Sequence, residues 1–386
     1  MSSNPVFSAT ILPSISAVSE SAWDAQLPAV SHPFLSWRFL NALEESGSAA
    51  ADTGWTPCHI WVTDGDDTAV GAAPLYAKTH SQGEYVFDHG WADALHRAGI
   101  EYYPKLQCSV PFTPATGPRL LSHTAEGKAA VLSAIMSLTE REGFSSGHMT
   151  FLEDADKDVA AAAGWLARQD RQFHFINRDY SSFDDFLTTL TSRKRKNIRK
   201  ERKAAQDGVT IKRLSEDNLK PHHWDIFYQC YIDTGMRKWG RPYLTRDFFD
   251  RMQETMRDDI CLVIAEMDDS PVAAALNYIG GEALYGRNWG TLIDKPFLHF
   301  ELCYYQAIEE GIARGLSRVE AGAQGEHKLA RGYEPVTTHS AHFITHPGLR
   351  GAVDDYLIRE RRAVDHEVNI LSKHTPFKKT SDKTGE

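Results

Sequence analysis

Apolar residues recur along this chain with two spacings, and the switches between them lay out an order of elements. In the second half, Val209-Thr210-Ile211 reads as a short strand leading to a helix near Trp224. Leu262-Val263-Ile264 reads as a strand that turns at Asp268-Asp269 into another over residues 272–278. Gly280-Gly281 marks the next turn, and a third strand ends near Arg287. Leu302, Tyr305, Ile308 and Ile312 then recur at helical spacing and stop at Gly315. A strand at Val319, a short glycine-rich turn and helix, and a strand over 342–344 complete the series. The predicted order is strand, helix, three strands, helix, strand, helix, strand.

The first half repeats the marks of the second. Trp23-Asp24 matches Trp224-Asp225, the stretch 66–73 matches 268–275, and Tyr76 matches Tyr278. Gly83-Glu84 pairs with Gly281-Glu282, and Trp91 with Trp289, all at an offset near 200 residues. The offset then falls to 168 at His174-Phe175-Ile176 and His342-Phe343-Ile344. Gly164-Trp165 matches Gly332-Tyr333, and 183–187 resembles 353–357. Eight matches in one order point to a tandem duplication. The offset change gives copy one about 30 extra residues, placed at 99–121, a segment with aromatics and four prolines. The expected division is a first domain over 1–180, a basic linking helix over 181–206, a second domain over 207–348, and a C-terminal helix and tail over 349–386.

Hydrophobic residues make up 42% of the 386, enough for packed cores. No apolar run is long enough to span a membrane, and the N-terminus lacks the pattern of a secretory signal. Five scattered cysteines with no Cys-x-x-Cys argue against a disulfide framework or zinc ribbon. The expectation is a cytoplasmic protein. Its formal charge of −10 hides one concentration of the opposite sign: residues 193–203 hold eight basic side chains and one acid. Ser182 with Asp185 opens this stretch like a capping box, and Phe183, Phe186, Leu187 and Leu190 form an apolar stripe. The pattern predicts a single helix over 182–205 with its cations at the C-terminal end. Those cations either offset the helix dipole there or hold an anion, through Arg193, Lys194, Arg195, Lys196, Arg199 and Lys200. RNA is the weaker form of that ligand, because no aromatics are interleaved.

The strand meander, central helix and closing strand–helix–strand resemble the GNAT N-acyltransferase fold. Two such units resemble the Fem-type branch and, within it, the FemAB-like family. The segments FLSWRFLNALEESGSAAADTGW, YYPKLQCSVPFTPATGPRLL, SRKRKNIRKER and LHFELCYYQAIEEGIARGLSRVEAGAQGEHKLARGY carry the resemblance. It implies an α/β fold of the α+β type, with mixed, mostly antiparallel sheets flanked by helices. It also implies acyl or aminoacyl transfer to an amine, the acceptor being a small molecule, a peptide or a peptidoglycan precursor. The implied donor is an acyl-CoA or an aminoacyl-tRNA, with no metal. Two departures qualify the donor. The stretch WGTLIDKPFLHFE lacks the Arg-x-x-Gly-x-Gly/Ala turn that takes a coenzyme A pyrophosphate. The basic stretch is one short helix where Fem enzymes carry a long helical arm. Acetyl-CoA-dependent acetylation of a small molecule and a non-catalytic binding module are the alternatives.

The two copies differ most where chemistry is expected. Copy two has Glu320, then Gln324, Gly325, Glu326, His327, Lys328, Arg331 and Tyr333 around glycines at a strand end. Copy one has an alanine-rich helix there. Transfer to an amine needs a proton acceptor, and Glu301, His299, His327 and Glu326 are the candidates. Arg287, Asn288, Trp289, Tyr304 and Tyr305 would line the same cleft, with Arg287 or strand N–H groups meeting the oxyanion. In the copy-one segment, Tyr102, Tyr103, Lys105, Phe112, Thr113 and Arg119 are the candidate acceptor contacts. His339, His342 and His346 lack a carboxylate or cysteine at ligand spacing, so no metal site is expected.

Overall fold

The computed structural model describes residues 6–30, 32–238, 242–322 and 325–378. Its strands are β1 (Ser8–Leu12), β2 (Trp55–Pro57), β3 (His59–Thr63), β4 (Ala69–Ala73), β5 (Leu75–Lys78), β6 (Lys105–Cys108) and β7 (Ser146–Leu152). These are followed by β8 (Leu166–Ile176), β9 (Thr210–Leu214), β10 (Ile260–Met267), β11 (Ser270–Gly280), β12 (Ala283–Thr291), β13 (Arg318–Glu320) and β14 (Glu334–Ile344). The fold is a mixed α/β tandem duplication of a GNAT-like unit. The predicted order of the second half is present, with Asp268 and Asp269 at φ of 48° and 57° in the β10–β11 hairpin turn. That double left-handed turn matches the twist of the strands it joins. One helix escaped the apolar pattern: Arg246–Thr255, capped by the Thr245 side chain.

The chain forms two compact units, and neither is contiguous in sequence. The first comprises residues 1–170, 243–257 and 337–365; the second comprises 171–242, 258–336 and 366–386. In the first, the strand order is β2-β5-β6-β7-β14, with β1-β3-β4 as a small separate sheet. In the second, it is β8-β13-β12-β11-β10-β9. Each unit is therefore closed by the last strand of the other copy: β14 pairs with β7, and β8 pairs with β13. The expected cuts near 180 and 207 fall elsewhere for this reason.

In the first unit, one sheet face is apolar and packs on the helix Ala125–Arg141, through Leu75, Leu106, Cys108, Met149, Val131 and Ile135. The other face is polar yet buried. Register sets Tyr76, Gln107, His148 and His342 in one row, and Lys78 opposite Lys105 in the next. In the second unit, the helix Pro221–Lys238 lies on β11 and β12. Gly290 permits that approach, since a Cβ there would stand 2.0 Å from the Cys230 carbonyl oxygen.

The single helix expected over 182–205 is two: Phe183–Thr189 and Ser192–Gln206. The break has a tertiary cause. Leu190 is extended and bridges to Phe377, while the Thr191 amide donates to the Pro376 carbonyl at 3.0 Å. The basic run thus begins a helix instead of ending one.

Candidate functional site

In the second unit, β12 and β13 pair in parallel over only three residues, 283–285 with 318–320. Beyond Tyr285 and Glu320 they part, and a register shift between Leu276 and Asn277 bends the β11–β12 ladder alongside. The opening is a cleft of about 80 Å³ lined by Leu276, Asn277, Gly286–Trp289, Ala321, His299, Cys303 and Tyr304. Strands that part at their carboxyl ends leave backbone groups unpaired and facing a ligand space.

The central helix forms the other wall. It runs Leu298–Phe300, widens to a π-helix over Glu301–Tyr305, and resumes as an α-helix over Gln306–Ala313. π segments inside helices recur at functional sites because they redirect side chains. Here Tyr304 and Tyr305, adjacent in sequence, enter different networks. Tyr304 lines the cleft, and its hydroxyl lies 2.8 Å from His327 Nε2. Tyr305 donates to Glu201 at 2.5 Å, away from the cleft-lining set.

His327 sits in the 3-10 helix Glu326–Arg331. The preceding Gly325 has φ of 118°, and a Cβ there would fall 2.5 Å from the imidazole. Around the Tyr304–His327 pair, His299 packs against Trp289 with centroids 4.7 Å apart and against Tyr304 at 5.3 Å. Arg331 lies over the Phe300 ring at 3.4 Å, donates to the His327 carbonyl and pairs with Glu201 at 3.0 Å. Burial, then the Arg331 and Lys328 charges, hold His327 below its ordinary 6.5. Burial pushes the Tyr304 hydroxyl well above the usual phenol range. The pair is therefore a neutral imidazole beside a protonated phenol at neutral pH. Lys328 is buried, donates to the Gly322 carbonyl at 2.9 Å and is pushed down to about 8 by burial.

The structure thus gathers His299, His327, Tyr304, Trp289, Arg287 and Asn288 at or beside the cleft, with Lys328 and Arg331 behind. Other expected residues are placed elsewhere. Glu301 is fully buried, takes two bonds from Arg202 (2.8 and 3.1 Å) and one each from Gln206 and Gln306 (both 2.8 Å). A carboxylate so occupied is a structural anchor, not a poised base. Glu326 points out toward Arg171 at 3.5 Å. Gln324 lies outside the described residues.

The copy-one candidates are interior side chains, contrary to the binding-loop expectation. Arg119 is completely buried and donates to the carbonyls of Ala115, Gly117, Pro118 and Thr150. It is packed beside the place where β6 and β7, also parallel over only three residues, stop pairing. Lys105 is buried between Glu84 (2.7 Å) and Asp88 (2.5 Å), and Tyr102 donates to Asp88 at 2.6 Å. Phe112 and Thr113 are buried, and only Tyr103 stays partly open, bonded to Ser81 at 2.8 Å. His342 faces His148 at 2.7 Å. Among the described residues no group of three metal-ligating side chains occurs.

Sequence reasoning missed His174. It lies opposite Glu320 on β8, with its Nε2 3.7 Å from the carboxylate and 3.2 Å from Gln172 Oε1. Alternation in Gln172-Phe173-His174-Phe175 puts both polar residues on one face of a strand, and that signal was available.

Solved structures resemble this chain at low identity. FemX is 11% identical with a TM-score of 0.54, covering 87% of this chain and 98% of its own. L-PGS from Bacillus licheniformis is 10% identical (TM-score 0.49, 87% and 96% covered). A tandem GNAT protein from the clavulanic acid biosynthesis pathway is 12% identical (TM-score 0.44, 89% and 99%). No relative matches among curated proteins. The model of the FemAB-like family, described as peptidoglycan biosynthesis/recognition, matches residues 14–379. With all but its two ends matched by that model, the chain belongs to the FemAB-like family.

Proposed function

We propose that this protein transfers an acyl or aminoacyl group to an amine, and that the reaction occurs at the β12/β13 cleft. Family membership and the GNAT-like fold support a transferase. The observation that carries the placement is the Tyr304–His327 pair, 2.8 Å apart, with Tyr304 lining the cleft. The acceptor nitrogen attacks the donor's carbonyl carbon, the new C–N bond forms, and the bond to the donor's oxygen or sulfur breaks. Neutral His327 takes the proton from nitrogen, and the Tyr304 hydroxyl gives one to the leaving atom. N–H groups of the parted β12 edge and Arg287 meet the oxyanion. No covalent enzyme intermediate is needed. The acceptor class is an amine on a peptidoglycan precursor or related small molecule, as the family description suggests.

The test is a thermal-shift screen of acyl-CoAs, aminoacyl-tRNAs and UDP-linked muropeptides, followed by turnover assays on the hits. A ligand at 100 times its dissociation constant should add about 2.7 kcal/mol. His327→Ala and Tyr304→Phe should each lower turnover by about 10²–10⁴-fold at an unchanged melting temperature. Wild-type activity should fall on acidification, with a midpoint below 6.5, and the His327 variant should lose that limb. Full activity in both variants would move the chemistry out of this cleft.

A further inference from the structure

We propose that the helix Ser192–Gln206 is a docking surface for an anionic phospholipid membrane. The inference does not rest on the acyltransferase reading. Arg193, Lys196, Lys200 and Lys203 recur at i, i+3, i+7 and i+10 and are all exposed. They form one stripe along about 15 Å of helix. Neither these four nor Lys194 or Arg195 has an ion-pair partner among the described residues. The paired cations of the helix are Arg199, bonded to exposed Asp184 at 3.0 Å, and Arg202, held by Glu301 and Glu309.

This arrangement works against the helix that carries it. The break after Leu190 puts Arg193–Lys196 in the first turn, at the positive end of the dipole. Cations three and four residues apart along the stripe also repel one another. Helix stability therefore does not account for the run, and charges of the opposite sign outside the protein would offset both costs. A second segment adds to the patch. The Lys378 amide donates to the Thr189 carbonyl at 2.9 Å, so the C-terminal segment crosses the start of this helix and brings exposed Lys378.

The composition of the surface favours headgroups over RNA. Residues 192–206 contain no aromatic side chain on which bases could stack. Their one large aliphatic residue, Ile198, is buried, so nothing inserts into the acyl region. Adsorption is then electrostatic, at the headgroup plane, and the acidic remainder of the chain orients the protein with this helix toward the lipid.

Cosedimentation of the full chain with phosphatidylcholine vesicles, with and without phosphatidylglycerol, tests this. The protein should pellet with the anionic vesicles only, and release as salt approaches about 1 M, where the Debye length is about 3 Å. R193Q/K196Q/K200Q/K203Q should weaken binding by about 10²–10³-fold, at roughly tenfold per pair or better. The double variant K200Q/K203Q, graded between the two, covers the case in which the quadruple variant does not fold. Binding equal to wild type in a folded variant, or no preference for anionic vesicles, would overturn the proposal. So would binding to an RNA oligomer with none to vesicles, which would assign the stripe to RNA.

Discussion

Glu301 and Arg202 set the lesson at the scale of single residues. In the sequence, a glutamate at the start of a central helix beside a histidine reads as a cap or a base. In the fold it is a buried carboxyl group whose partners, Arg202 and Gln206, lie 99 and 95 residues away. No local pattern carries that information. His327 was legible as a candidate because copy one has alanines where copy two has a polar cluster, and Tyr304 only as a lining residue of the central helix. Their bond to each other was not, since a π-helical turn sets it. The Glu301 network gives a direct test: Arg202→Ala would leave the carboxylate buried with two amides and no countercharge. It should destabilise the protein by about 3–5 kcal/mol in urea unfolding, whereas Arg202→Lys should recover part of the loss.

At the scale of elements, spacing recovered the strands and helices of the second half, but only tertiary contacts explain their ends. The apolar stripe of Phe183, Phe186, Leu187 and Leu190 continues smoothly into the basic run, so a single helix was the natural reading. The strand-like bridge to Phe377 that divides it comes from the far end of the chain. The polar face of the first unit's sheet was equally hidden, because alternation marks a polar face as solvated and this one is covered. His148 and His342 are its acid-sensitive members. Burial, followed by the Lys105 charge, holds His148 down at about 3, and burial together with His148 holds His342 well below 6.5. In the unfolded chain both take a proton below about 6.5, while the folded chain does not. Their contribution is full above that pH and is lost as pH falls toward 3. From pH 7 to 5 the two together should cost about 3–4 kcal/mol of unfolding free energy. His342→Leu should reduce that pH dependence by about half, read from urea midpoints at the two pH values.

For the whole molecule, the duplication was legible and the exchange within it was not. Matching Trp23 with Trp224 and Gly164 with Gly332 implies two copies, and contiguous halves follow naturally from such a list. Pairing of β7 with β14 and of β13 with β8 means that neither half contains all of its own sheet. Expressed alone, residues 1–180 and residues 207–348 should each lack a cooperative thermal transition. The first would expose the edge of β7 and the second the edge of β13. A sigmoidal melt from either fragment would show that the exchanged strand is dispensable.

That exchange also sets a timetable for synthesis. β7 leaves the ribosome with Leu152, but its neighbour on the open side is complete only at Ile344. At 5–20 residues per second the delay is roughly 10–40 s. Throughout it, an unpaired edge and a row of histidine, glutamine and lysine side chains destined for the interior stay open to water. The nascent chain is then a substrate for chaperones, and a truncating mutation anywhere before residue 344 would disable the half already made.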